Sequence, residues 1–199
     1  MKKFPVIVIF LLMPLYIVAQ DTNGGIHEFG LNLSGPHTFG VRYRSGNENT
    51  LLRLTLLSAE GSNQNTKGGS NSSKFGSFGV VFNIGFEKRK FISDKVGFYI
   101  GSDLLTSYTS NTNKYDNLSQ KSKTWTVSGG PGLVLGFVYK FNSDINVTAE
   151  VLPSIGYSYG KTTLNSNGVI ISQTNTGITY GLSDTAANLT FSFRFGKKS

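Results

Sequence analysis

From Ala186 to Phe195 the chain alternates without interruption. Ala187, Leu189, Phe191, Phe193 and Phe195 fall on one side of an extended strand, and Asn188, Thr190, Ser192 and Arg194 fall on the other. The same period of two recurs upstream. Ile26 to Ser34 sets Phe29, Leu31 and Leu33 against Glu28, Gly30 and Asn32, and Thr38 to Arg44 sets Phe39, Val41 and Tyr43 against Arg42 and Arg44. In Thr50 to Gly61 the leucine run is ambiguous, and the register with Arg53 on one face and Leu52, Leu54 and Leu56 on the other keeps the pattern. Lys74 to Arg89 opposes Phe78, Val80, Phe82, Ile84 and Phe86 to Ser77, Gly79, Asn83, Gly85 and Glu87. Val96 to Thr109, Lys123 to Lys140 and Ile145 to Lys161 continue it, with Tyr99, Gly101, Asp103 and Glu150 on the polar side. The pattern predicts eight strands and no helix.

The connections differ in length by turns. Gly35-Pro36-His37 is a tight reversal, and Ser45 to Asn49, Lys90 to Lys95 and Phe141 to Asp144 are short turns. Ser62 to Ser73, Ser110 to Ser122 and Thr162 to Thr185 are long and polar, and Gly168 to Ser172 with Gly177 to Leu182 could extend the last two strands. Eight antiparallel strands with short turns at one end and long loops at the other predict an all-β, up-and-down transmembrane β-barrel, apolar side to lipid and polar side to lumen. The opposite assignment, a soluble lipocalin-like barrel with the aromatics inside, would leave Arg42, Arg53, Glu87, Glu150 and Arg194 sharing the outer face.

Composition adds an address. Residues 1–20 read as a cleaved secretory signal: Lys2 and Lys3, an apolar run from Phe4 to Val18, then Ala19-Gln20. This leaves 21–199 as the barrel domain. Of 19 basic residues two lie in the signal, which leaves 17 against 11 acids, a net charge of +6. The charges are scattered, so nucleic acid is not expected as a partner. Without cysteine there are no disulfides, thiolate nucleophiles or Cys-based metal sites.

On the signal ending Val18-Ala19-Gln20, the alternating strands with glycines such as Gly97 and Gly101, and the terminal L-T-F-S-F-R-F, the chain resembles the small outer-membrane β-barrel proteins of Gram-negative bacteria, similar in architecture to the OmpA membrane domain and OmpX. The resemblance implies a bacterial outer-membrane location, lipid and lipopolysaccharide as surroundings, and the barrel assembly machinery as a partner in folding. In such proteins the chain commonly ends on the aromatic residue, whereas here Gly196 to Ser199 follow Phe195.

Candidate chemistry is sparse. Of two histidines, His27 falls on the lipid side and His37 in the first reversal, neither with a visible serine and carboxylate, so no enzyme is expected. Gly129-Gly130-Pro131-Gly132 lies within a strand with no helix after it and is not a phosphate loop. No cofactor and no metal are expected. The lumen is the place for chemistry: Glu28, Glu87, Asp103 and Glu150 against Arg42, Arg44, Arg53 and Arg194 nearly cancel, and they predict an ion-pair network that fills it, with Arg194 facing Glu28. Outside, Lys67, Lys74, Lys114, Lys121, Lys123 and Lys161 outnumber Glu60, Asp116 and Asp184, which suits either lipopolysaccharide phosphates or mere solubility. The function expected is non-catalytic, structural or interacting through the loops, with a small porin or carrier as the alternative.

Overall fold

A computed structural model describes residues 25–34, 39–68, 71–115, 120–182 and 187–196; the signal segment, the reversal at Gly35-Pro36-His37, Asp116 and Asp184 lie outside them. Among the described residues every regular element is a strand: β1 Ile26–Leu33, β2 Phe39–Gly46, β3 Thr50–Gly68, β4 Asn71–Phe91, β5 Val96–Tyr115, β6 Gln120–Lys140, β7 Ile145–Val151, β8 Ser154–Ser166, β9 Val169–Gly181 and β10 Ala187–Gly196. All neighbours are antiparallel. β1 to β7 pair in sequence order, β7 pairs β10, and β10 returns to β1, which closes a ring of eight. The β8–β9 hairpin continues the wall beyond this ring along β6.

Eight of the ten segments make the ring, and β8 continues β7 because the seventh strand is interrupted, not ended. Leu135 faces Val151, Gly132 faces Ser154 and Gln120 faces Ser166, so one register runs through β7 and β8. The interruption falls at Pro153, opposite the stretch holding Pro131, where the ladder lacks an N–H on each strand. The expected strand from Ile145 to Lys161 is therefore continuous in space.

The faces are those the alternation predicts. Phe29, Phe86, Phe98, Phe137, Phe191 and Phe193 are exposed on the outside, while Arg42, Arg44, Arg53, Glu28 and Glu87 are at most 1% exposed. A soluble protein would have these reversed. Water cannot surround so much apolar surface, whereas hydrocarbon can.

The long loops are the main departure. Of the expected loops Ser62–Ser73 and Ser110–Ser122, most residues belong to the strands β3 to β6, while the insertion from Thr162 holds the end of β8 and the whole of β9, so Gly168 to Ser172 and Gly177 to Leu182 do extend the wall as expected. Their sequences show no apolar alternation because above the lipid both faces meet water, and the ladder alone holds them. Cross-strand hydroxyls assist it: Thr124 and Thr162 lie 3.0 Å apart, and Ser62 and Ser77 lie 3.3 Å apart. The β8–β9 turn is Asn167-Gly168, with φ of 51° and 85°, the geometry two-residue hairpins favour and glycine supplies without strain.

The other end is tight. Asn47 Oδ1 accepts the N–H groups of Asn49 and Thr50 at 3.0 and 2.8 Å, and Asn142 Oδ1 accepts those of Asp144 and Ile145 at 2.8 and 2.7 Å. Ser93 does the same for Val96 at 3.1 Å. All three turns gather around the start of β1 and the end of β10, since Asn47, Asp94 and Asn142 line one hollow with Ile26 and Gly196.

Candidate functional site

The lumen holds a plug of charges. Arg44 on β2 and Arg53 on β3 are directly opposite one another, a repulsive pair in isolation. Glu87 from β4 resolves it. Its carboxylate meets Arg53 Nη1 at 3.1 Å, Arg44 Nε at 3.3 Å and Arg89 Nε at 2.7 Å. Glu28 on β1 takes both terminal nitrogens of Arg89, at 2.7 and 2.8 Å, and Arg44 Nη1 at 3.3 Å. Asn146 donates a further bond to Glu28 at 2.9 Å.

Glu150 on β7 forms the other centre. Arg53 Nη2 reaches both its oxygens, at 2.8 and 3.0 Å, Arg42 Nη2 reaches it at 2.5 Å, and the Tyr99 hydroxyl donates at 2.9 Å. The remaining nitrogens of Arg42 donate to Thr55 and Thr190, each at 3.0 Å. Above it Asn32, Ser34, Asn188 and Thr190 are joined by hydrogen bonds, among them Ser34 to Asn188 and Thr190 to Asn32. An unpaired ion in so dry a space would cost several kcal/mol.

Seven of the eight residues singled out from the sequence therefore converge: Glu28, Arg42, Arg44, Arg53, Glu87, Asp103 and Glu150. Asp103 is the loosest, held by Arg53 Nε at 3.1 Å. Arg194 is not among them. Although it is opposite Glu28 in the ladder, its guanidinium turns to the rim and donates to Glu48 at 2.7 Å. Arg89 takes the place assigned to Arg194. It was legible, two residues beyond Glu87 on the same face, but its nearness to the turn hid it. Glu28 prefers it because Arg89 is buried and offers two nitrogens at once.

At the rim the turns surround a hollow of about 640 Å³ lined by Glu48, Lys95, Lys140, Asp144 and Arg194 among others. Lys140 lies 3.9 Å from Glu48 and 3.9 Å over the ring of Phe91. The hydrogen bond from Arg194, with the Lys140 charge behind it, holds the Glu48 carboxyl below the usual range.

His27 faces outward, as its parity requires, but it does have hydroxyl neighbours. Its Nδ1 lies 2.8 Å from the Tyr43 hydroxyl and 3.1 Å from Ser45 Oγ, and its ring stacks on Tyr43 and Phe195. The absence of a serine read from sequence is thus corrected: Ser45 is directly opposite His27 in the ladder. The residue is only 8% exposed beneath these aromatics. Among the described residues no three His, Cys, Asp or Glu side chains gather as a metal needs.

An eight-stranded antiparallel ring, apolar outside and charged within, turning tightly at one end and rising at the other, is the architecture of the small outer-membrane β-barrel proteins, and this chain is one by fold. No family model matches the sequence, and no curated protein does. Among solved structures, a major outer membrane protein from Thermus thermophilus superposes with a TM-score of 0.53 at 9% identity, over 87% of this chain and 100% of that one. The ferric yersiniabactin uptake receptor FyuA from Yersinia pestis gives 0.48 at 9% identity, with 72% of this chain covering 23% of the receptor. The attachment invasion locus protein Ail of Yersinia pestis gives 0.38 at 13%, over 86% and 99%.

Proposed function

We propose that residues 21–199 form an outer-membrane barrel that acts from its outer surface, not as a catalyst and not as a pore. The observation that carries this is the plug: four arginines and four carboxylates fill the lumen at the level of the apolar belt. The alternative, a small porin or carrier, needs a wet path through that level. What weighs against catalysis is the buried His27 ring with no carboxylate among its described partners.

With tight turns towards the periplasm, the far ends of β3 to β6 and the β8–β9 hairpin stand outside the cell. There β9 is hydrogen-bonded to β8 alone, so among the described residues its other edge has no ladder partner. Just above the belt, Lys74, Lys114 and Lys121 are consecutive partners across β4, β5 and β6, and Lys161 is opposite Trp125. Three positive charges in register offer polyanionic lipid a matching row. Trp125 and Tyr159, with ring centroids 5.7 Å apart, mark the aromatic girdle at the level of Lys161 and below the other three.

The test compares the wild type with a variant carrying Gln at 74, 114, 121, 123 and 161, both folded in detergent. Preferential association of the wild type with lipopolysaccharide vesicles over phosphatidylcholine vesicles, lost in the variant, is the expected result. Equal association of both proteins with both vesicles would reject lipopolysaccharide as the partner.

A further inference from the structure

Above the plug the lumen is not filled. A chamber of about 280 Å³ opens among β4, β5, β6, β8, β9 and the start of β10, where Gly130 and Gly156 add no side chain to the walls. β1, β2 and β3 contribute no lining residue, and the first two stop short: Leu33 with Phe39 is the last pair of their ladder, whereas β3 rises on to Gly68. Over that short hairpin the chamber is reached from the outer side, where Thr179 at its edge is exposed.

Its lining is uncharged. Val81, Leu105, Leu152 and Ile155 give it apolar surface, and the polar remainder is Ser, Thr and Asn. A charged solute would lose its hydration there and meet no counter-ion in the walls, so the chamber suits a neutral one. Most of the polar groups answer one another. The hydroxyls of Ser107 and Ser128 lie 2.5 Å apart, Thr106 Oγ1 donates to the Phe82 carbonyl at 2.6 Å, and Asn188 Oδ1 accepts from Asn32 and Ser34. Asn83 is the exception. It is 5% exposed, its Oδ1 receives no hydrogen bond, and its carboxamide makes none with any described residue. A buried carboxamide is costly to leave unpaired, and such an orphan facing a cavity marks a place where something else binds.

We propose that this chamber binds a small neutral solute carrying a cis amide, the lactam-type edge on which an N–H and a C=O lie side by side. An asparagine carboxamide presents the complementary edge, one acceptor beside one donor, and the two close a ring of two N–H···O bonds. The match holds whichever way the carboxamide is turned. Leu105, the ladder partner of Asn83 on β5, and Val81, next on the same face of β4, set apolar surface beside that edge for the methylenes of a small ring. The inference does not depend on the lipopolysaccharide reading, because that test reads the outward lysines and this one reads the lumen.

The experiment uses the full folded chain in detergent micelles, titrated with δ-valerolactam and, separately, with N-methyl-δ-valerolactam, which keeps the ring and the carbonyl but lacks the donor. Saturable shifts of the Asn83 side-chain amide and of the backbone amides at 83 and 105 are expected with the lactam. The N-methyl compound should bind about tenfold more weakly or not at all, since it leaves Asn83 Oδ1 buried without a donor. Asn83→Ala removes the amide edge, breaks no side-chain hydrogen bond of the fold and leaves the chamber open. It should weaken lactam binding by about tenfold or more, read at the backbone amide of 105. If this variant does not fold, the comparison of the two compounds on the wild type decides alone. The proposal is overturned if no saturable shift occurs at these positions, if the two compounds bind alike, or if Asn83→Ala binds the lactam as the wild type does.

Discussion

Each carboxylate in the plug's two centres serves more than one arginine, so losing one leaves several charges buried and uncompensated. Glu150→Gln strands Arg42 and part of Arg53 and weakens the acceptor for Tyr99. It should cost about 3–5 kcal/mol, read as a shift in urea-unfolding midpoint followed by the fluorescence of Trp125. Arg194→Ala is the contrasting case. Its partner Glu48 is half exposed at the rim, so the change should cost less than about 1 kcal/mol, with no loss at Glu28. Glu48 also gives a pH signature. Its folded carboxyl is held below the ordinary 4.5, so its contribution to stability is present above that value and fades as pH falls through the lower, folded one. The stability difference between wild type and Glu48→Gln should therefore shrink on acidification below about pH 4.5 and stay level above it. A difference that grows on acidification would mean that Arg194 does not hold Glu48.

Among the elements, the strands that cross the lipid were legible, and of those that rise above it only the stretches Gly168 to Ser172 and Gly177 to Leu182 were. A strand with one face in hydrocarbon and one in a polar lumen must alternate, and Lys74 to Arg89 or Ala186 to Phe195 could be read directly. The upper parts of β3 to β6 are mostly Ser, Thr, Asn and Gly in no fixed order, because only the ladder selects them. Composition there reads as loop. Arg194 shows the other limit: parity gives its face but not the direction its long side chain takes, and at the end of a strand it can leave the lumen for the rim. The hairpin contributes little to the ring, so replacing residues 161–174 by Asn-Gly, between the partners Gly160 and Asn175, should leave a folded barrel. Retained heat-modifiable migration on gels with an unchanged unfolding midpoint checks this. Gly136 is where a wall strand admits no side chain: a Cβ there would lie 2.4 Å from the Tyr99 ring and 2.7 Å from the Ala149 carbonyl. Gly136→Ala should displace Tyr99 from Glu150 and destabilise the barrel by about 1–3 kcal/mol, seen in the same unfolding assay.

At the scale of the whole molecule, an inverted arrangement of charge and grease defines the environment. The apolar belt requires lipid, and the ring of eight is just wide enough for its own side chains. What fills that width decides between a pore and an anchor. The balance of four arginines and four acids was legible from alternation alone, though Arg89 rather than Arg194 completes it. Reconstitution of the purified wild type in planar bilayers tests the closed lumen most directly. The current should show no sustained steps under voltage, while a variant with Glu87, Glu150, Arg42 and Arg53 all replaced by Ser should leak. Steady, ion-selective openings from the wild type would contradict a plugged barrel and make the protein a channel.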